Sequence, residues 1–229
     1  MRFAHLGIVA LAFASLQVAA QAGAAAKPSA AATKASCAIS PRGELKCPRF
    51  GFAYKIPFGW VDRTADLGNE AQNGGGEDAK NPRAEGQAPD ERPSSSAAET
   101  LLAVFERPPA APGDTINSAV VIAAEPLVNY RQIKTAADYF AAINEVAAER
   151  GFKVANGPYA FPVGRKQLVR GDFSKQRGKL TMWQSSLVMI ESGYIVSFTV
   201  IGASEDENDE LISNLSFSSP AHSSHSVQR

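Results

Sequence analysis

The chain has 229 residues, of which 45% are hydrophobic and 20% charged, and its formal net charge is zero. This length is enough for one domain of ordinary size with tails. Nucleic acids and anionic membranes attract clustered lysine and arginine, so the balanced charge argues against a broad binding surface for either.

The first 22 residues have the order of a secretory signal peptide. Arg2 and His5 precede an apolar segment, Leu6 to Leu16, which is too short to span a bilayer. Ala20-Gln21-Ala22 matches a cleavage site of the A-x-A type. An uncleaved N-terminal anchor is the alternative. We therefore expect an exported protein, periplasmic or extracellular, with no membrane span after cleavage.

Residues 23–48 are predicted to be a flexible spacer followed by a loop closed by a disulfide. Cys37 and Cys47 bracket a segment with the turn-forming run Pro41-Arg42-Gly43. In an oxidising compartment, two cysteines this close usually form one structural bridge. The alternatives are a redox pair or half of a metal site, but the segment has neither a C-x-x-C motif nor a nearby histidine.

Residues 49–217 are predicted to form a single domain that carries one long insertion. Phe52, Tyr54 and Ile56 alternate with smaller or charged residues, which is the pattern of a half-buried strand. Residues 66–99 are rich in Gly, Pro and charge, so we expect a disordered insertion. A binding loop that orders on a partner is the alternative reading of that segment.

Two strands and a helix are predicted next. Thr100 to Glu106 and Ser118 to Glu125 are apolar runs of strand length. Thr135 to Arg150 has apolar residues at three- and four-residue spacing, which indicates an amphipathic helix. We expect Thr135 to be its N-cap, with Asp138 three residues later.

The C-terminal part predicts further strands, a hairpin and a capped helix. Two apolar strands meet at a Glu191-Ser192-Gly193 turn. Ser204 and Glu207 then form a capping box, which places the start of a helix. Residues 218–229 are predicted to be a disordered tail. Runs of strands with separate helices indicate an α+β fold with a largely antiparallel sheet.

This order of elements resembles the PsbP-like fold, which is shared by the PsbP proteins of photosystem II, a Ran-binding nuclear-transport protein and exported bacterial proteins. The resemblance rests on F-A-Y-K-I-P-F-G-W from Phe52, A-D-Y-F from Ala137 and S-E-D-E-N-D-E-L-I-S-N-L-S-F from Ser204. It implies a central antiparallel sheet between helices, an α/β/α sandwich, and a role in binding or assembly. It carries no site residues across to this chain.

The residues of the predicted domain exclude several common chemistries. The three histidines, His5, His222 and His225, lie in the leader and the tail, so imidazole-based catalysis and the usual zinc sites are not expected. No phosphate-binding glycine motif is present. We expect neither a cofactor nor a metal.

The remaining candidate residues are acids and one tryptophan. Glu106, Glu125, Asp172 and Glu191 are placed at strand ends or turns, where carboxylates are normally solvated. Trp183 is the candidate for a ligand or partner surface, since an aromatic in a strand can form a stacking platform; core packing is the alternative.

The leading hypothesis is an exported, non-catalytic binding or assembly module, with an unknown protein or small molecule of the envelope as its partner. One alternative is a small-ligand-binding protein, and another is a carboxylate-dependent hydrolase. A structural component of the envelope is a third class.

Overall fold

A computed structural model describes residues 36–72, 98–108, 111 and 113–218 of the chain. The predicted signal peptide, most of the spacer, residues 73–97 of the predicted insertion and residues 219–229 of the predicted tail lie outside the described residues. No described helix is long and apolar enough to cross a membrane.

The described chain contains strands β1 to β11, helices α1 to α3 and one short 3₁₀ turn. In chain order they are β1 (Ala38–Ser40), β2 (Glu44–Cys47), β3 (Phe52–Lys55), β4 (Val61–Asp62), α1 (Thr64–Gln72), β5 (Glu99–Phe105), β6 (Ala119–Pro126), the 3₁₀ turn (Leu127–Asn129), α2 (Phe140–Glu149), β7 (Lys153–Val163), β8 (Lys166–Arg177), β9 (Leu180–Glu191), β10 (Tyr194–Gly202), α3 (Glu205–Ser213) and β11 (Leu215–Phe217).

The larger sheet has seven antiparallel strands in the order β4-β5-β6-β10-β9-β8-β7. The predicted hairpin forms its centre. Ser192 and Gly193 adopt positive φ angles of 53° and 79° at the turn between β9 and β10, as a two-residue hairpin turn requires. The predicted α+β class with a largely antiparallel sheet is confirmed.

A second sheet, which was not predicted, packs on one face of the large one. It has four antiparallel strands in the order β1-β2-β3-β11. Its Phe52 ring meets Phe198 of β10 edge to face, with centroids 5.1 Å apart. Leu211 and Ile212 of α3 belong to the same buried core. This face is therefore covered by strands and a helix together, whereas the prediction had helices alone.

The disulfide between Cys37 and Cys47 is present, as predicted. It joins the residue before β1 to the last residue of β2, so it fastens the outer strand of the small sheet to its neighbour. The Cys47 side chain belongs to the buried core. The pair is therefore structural, as the loop between the two cysteines indicated.

Helix α2 covers the opposite face of the large sheet and starts later than predicted. Phe140 is its first residue and Tyr139 its N-cap, so Thr135 is not the cap. Thr135 and Asp138 instead form a separate turn. The Asp138 carboxylate accepts the backbone amides of Lys134 and Thr135, at 2.9 and 2.7 Å. This local bonding competes with helix formation.

Helix α1 occupies the first part of the predicted insertion. Asp62 Oδ1 accepts the backbone amide of Thr64 at 2.8 Å, which satisfies a free donor at the helix start. The helix runs to Gln72, so residues 66–72 are helical where disorder was expected. At the other end of the predicted insertion, Glu99 is the first residue of β5.

The capping box of α3 forms as predicted. The Glu207 backbone amide donates to Ser204 Oγ at 3.1 Å. The Glu207 carboxylate reaches back to the amide of Ala203 at 2.7 Å. The two bonds fix where the helix begins, and this places its acidic first turn beside the end of β10.

Strand β7 forms one edge of the large sheet and pairs irregularly with β8. Its register shifts between Val154 and Asn156 and again between Asn156 and Tyr159. Most of its side chains are exposed. The opposite edge, β4, has only two residues, Val61–Asp62.

Candidate functional site

The face of the large sheet below α2 contains a row of small residues from three adjacent strands. Thr199 of β10 pairs with Ser186 of β9, and Ser186 pairs with Gly171 of β8. Paired residues point to the same face, so these positions form a trough across the sheet. The Phe140 ring fills the Gly171 end, where an added Cβ would lie 2.5 Å from the ring.

The rest of the trough is a cavity of about 270 Å³ between α2 and the sheet, which we call the α2 cavity. Its wall is the apolar side of α2, and its floor is polar. The lining residues are Glu125, Tyr139, Ala142, Ile143, Val146, Ala147, Arg150, Gln184, Ser186, Ser197 and Thr199. A helix normally buries an apolar stripe against apolar strands, so a polar floor in this position is unusual.

Two hydroxyl groups on this floor have no partner in the described part of the protein. Gln184 Nε2 donates to Ser186 Oγ at 3.1 Å, so those two side chains satisfy each other. The half-buried hydroxyls of Ser197 and Thr199 make no hydrogen bond to another described residue. They are available to a molecule inside the cavity, and rigid central strands hold them in place.

One end of the α2 cavity carries a carboxylate held by two tyrosines. The hydroxyls of Tyr130 and Tyr139 donate to different oxygens of Glu125. The two rings meet edge to face, with centroids 5.5 Å apart. Both carboxylate oxygens are therefore engaged. Glu125 is not the freely solvated acid that the sequence suggested.

The other end of the cavity carries a cation. Arg150 is the C-cap of α2, and its exposed guanidinium makes no ion pair with any described residue. Its carbonyl accepts Lys175 Nζ at 2.6 Å, which fixes the backbone there. Gly151 follows with a φ of 80°, the left-handed conformation in which many helices end. The cavity thus has an anionic and a cationic end.

The tyrosines make stability pH-dependent at high pH. Burial and the hydrogen bond to Glu125 raise the pKa of Tyr130 to about 12, from an ordinary value near 10. The unfolded chain therefore loses this proton first. We expect this contribution to stability to be complete below pH about 10 and to be lost as the pH rises to about 12.

The absorbance at 295 nm reports ionised tyrosine. The difference in this absorbance between the wild type and Tyr130→Phe should therefore show Tyr130 titrating near pH 12. In thermal melts, the Tm advantage of the wild type over Tyr130→Phe at pH 9 should shrink at pH 10 and again at pH 11. A difference spectrum that titrates near pH 10 would contradict the expectation.

A second polar cluster lies on the opposite face of the sheet, beneath α3. Arg170 and Asp172 of β8 are only 4% and 2% exposed, and their side chains are 2.8 Å apart. Ser185 and Tyr159 donate to Asp172 at 2.7 and 2.9 Å. Asp209 of α3 lies 2.6 Å from the Arg170 guanidinium. Asp172 is therefore buried and paired, which corrects the expectation of a solvated acid at a strand end.

The charge on Arg170 is well compensated. Burial disfavours it, but hydrogen bonds to Asp172 and Asp209 outweigh the burial and raise the pKa of Arg170 above its usual range. Burial also raises the pKa of Tyr159 to about 12, as does its hydrogen bond to Asp172. Both acids in this cluster are bonded to donors. We therefore assign the cluster a structural role, which is to hold α3 against the sheet.

The other candidate residues lie apart from both clusters. Glu106 forms an ion pair with Arg107 at 3.3 Å, and Glu191 with Lys166 at 2.7 Å. Trp183 is half-buried in β9 and pairs with Ser174 and Gly202. Strand alternation places Trp183 on the face opposite the α2 cavity. Its role as a ligand platform stays a prediction.

No described group of three or more histidine, cysteine or acidic side chains is arranged to hold a metal ion. No family model matches the chain, and no curated protein is significantly similar to it.

Several solved structures resemble the chain. The solution structure of PsbP from Synechocystis sp. PCC 6803 is 14% identical, with a TM-score of 0.44, over 80% of this chain and 98% of that one. LpqN, involved in cell envelope biogenesis of Mycobacterium tuberculosis, is 13% identical, with a TM-score of 0.34, over 79% and 87%. The Pseudomonas aeruginosa protein PA94, of unknown function, is 17% identical, with a TM-score of 0.35, over 54% and 79%.

PsbP, whose fold the sequence resembles, is thus among the solved structures that match the chain. At these identities and TM-scores, no ligand, partner or site residue is transferred from any of the three proteins. The site is argued from the residues of this chain alone.

Proposed function

We propose that this protein is an exported, non-catalytic binding module whose site is the α2 cavity. The observation that supports this most directly is the pair of hydroxyls, Ser197 and Thr199, which lie on the cavity floor without a described partner. A hydroxyl that faces a cavity can donate to and accept from the molecule that occupies it. A small molecule with its own polar groups would bond to both.

The arrangement of the acids favours binding over hydrolysis. A paired-carboxylate mechanism needs two carboxyl groups that face one substrate. Glu125 is the acid among the described residues that line the α2 cavity, so no second described carboxylate faces the same space. Asp172 lies on the other face of the sheet, where it is bonded to Arg170. The hydrolase alternative therefore has less support.

Export is supported by two independent features. The first 22 residues follow the pattern of a cleaved signal peptide. The Cys37–Cys47 bridge is of the kind that forms and persists outside the reducing cytosol. The ligand is accordingly expected among small molecules of the periplasm or the surroundings.

Thr199→Val tests the proposed site because it removes one floor hydroxyl and preserves the shape of the side chain. Thermal shift would be measured with four probes of different charge: glucose, hexanoate, hexylamine and alanyl-alanine. We expect at least one to raise the Tm of the wild type saturably, as a ligand of the folded state must. The shift at a fixed probe concentration should fall in Thr199→Val.

Thr181→Val is the matched control, since Thr181 lies in β9 outside the α2 cavity and accepts an exposed hydrogen bond from Gln176. This variant should keep the full shift. If all four probes leave the Tm of the wild type unchanged, or if Thr199→Val and wild type respond alike, the proposed site is wrong.

A further inference from the structure

The two ends of the α2 cavity carry opposite charges. Glu125 meets Tyr139, which directly precedes α2, and Arg150 directly follows its last residue. The cavity therefore runs along the helix from an acid to a base. A ligand with a single charge would match one end and leave the other without a counter-charge. A ligand with both charges would match both ends.

The length of α2 sets how far apart the two charges of such a ligand are. The helix has 10 residues, which corresponds to about 15 Å. The Glu125 and Arg150 side chains both line the cavity, one beside the start of the helix and one at its end. An ammonium and a carboxylate on one carbon atom are too close together to reach both ends. The two charged groups must therefore be separated by several bonds.

The middle of the cavity offers hydrogen bonds on one side and an apolar wall on the other. The Ser197 and Thr199 hydroxyls have no described partner, and each can both donate and accept. The opposite wall contains Ile143 and Val146, and Val146 is 45% exposed. A peptide group would satisfy the hydroxyls, and small aliphatic side chains would cover the wall.

We infer that the ligand is a dipeptide-sized zwitterion, with its ammonium at Glu125, its carboxylate at Arg150 and its amide over Ser197 and Thr199. This rests on the proposed function, whose ligand class it names. The cavity of about 270 Å³ lies just below the usual range for small-molecule pockets, about 300–1,000 Å³. A molecule of two small residues is therefore favoured over a longer peptide.

The experiment is calorimetric titration of the mature protein with alanyl-alanine and four analogues. N-acetyl-alanyl-alanine lacks the ammonium, and alanyl-alaninamide lacks the carboxylate. Alanine carries both charges on one carbon, and 6-aminohexanoate separates them without an amide. We expect alanyl-alanine to bind at least about tenfold more tightly than each of the four, because each analogue loses a contact to Glu125, to Arg150 or to the two hydroxyls.

Variants locate the two charges. Arg150→Met should weaken alanyl-alanine by about tenfold and leave alanyl-alaninamide, which has no carboxylate, nearly unchanged. Glu125→Gln should weaken alanyl-alanine by about tenfold and leave N-acetyl-alanyl-alanine, which has no ammonium, nearly unchanged. Arg177→Met is the matched control, because Arg177 is an exposed arginine at the end of β8 outside the cavity. Thermal melts of each free variant would verify folding.

Equal affinities for alanyl-alanine and either blocked dipeptide would overturn the inference. So would equal effects of Arg150→Met and Arg177→Met. If glucose, hexanoate or hexylamine instead binds in a manner sensitive to Thr199→Val, the dipeptide assignment fails while the proposed binding function stands.

Discussion

Replacing Arg170 by methionine is expected to lower the free energy of unfolding by about 3–5 kcal/mol. The change keeps a long side chain but removes the cation next to Asp172, which is 2% exposed. A buried carboxylate without its counter-charge is costly, and this loss dominates any gain from added apolar surface. Chemical denaturation with urea would measure the effect as a lower midpoint at an unchanged slope.

Lys166→Met on the same strand is the matched control. Lys166 also forms an ion pair, at 2.7 Å from Glu191, but the two side chains are 33% and 34% exposed. Partly exposed pairs are worth about 0–1 kcal/mol. The double variant Arg170→Met with Asp172→Leu should recover part of the loss, since no buried charge stays unpaired. Similar losses from Arg170→Met and Lys166→Met would show that burial of the first pair has no energetic consequence.

The second large effect is expected for Gly171→Ala, at about 1–3 kcal/mol of destabilisation. A Cβ at this position would lie 2.5 Å from Phe140 Cε1. Phe140 is 2% exposed and held between α2 and the sheet, so its ring has little room to move. Helix α2 would have to shift, and we expect ligand binding in the α2 cavity to weaken as well. Thermal denaturation and the calorimetric titration measure the two effects.

Gly157→Ala provides the comparison, because a Cβ there meets no atom within 4 Å and the residue lies on the exposed edge strand β7. Its effect should stay within about 0.5 kcal/mol, as for other surface substitutions. If both alanine variants lose the same stability, close contact with Phe140 is not the cause.

The sequence predicted those elements whose signal is local. The hairpin of β9 and β10 has two long apolar strands around a Ser-Gly turn, and the start of α3 has its capping residues three positions apart. These patterns depend on neighbours in the chain, so they can be recognised without tertiary contacts. The Cys37–Cys47 bridge belongs to the same group.

Shorter elements were missed because their signals are weak. Strands β1, β2 and β11 have three or four residues each, too few for alternation to be distinctive. They form because β1 pairs with β2, both β2 and β11 pair with β3, and this sheet packs on the large one. Helix α1 has mostly polar residues and a glycine, so composition favoured disorder although Asp62 caps its start.

The candidate site could not be predicted because it depends on registers between strands. Glu125 lies far from Ser186 and Thr199 in the chain, and none of the three belongs to a motif. Only the pairing of β10 with β6 and β9 brings them to one face. Asp172 was misjudged for a similar reason, since its partners Ser185 and Tyr159 come from β9 and β7.

The irregular pairing of β7 has a consequence for the behaviour of the protein at high concentration. A long, flat edge strand invites strands from other copies to add to the sheet, which leads to aggregation. In β7, Pro158 and Pro162 lack amide donors, and the register shifts around Asn156 interrupt the run of free backbone groups. The opposite edge offers only two residues. Neither end of the seven-stranded sheet therefore presents a long, regular edge to which a strand of another copy could add.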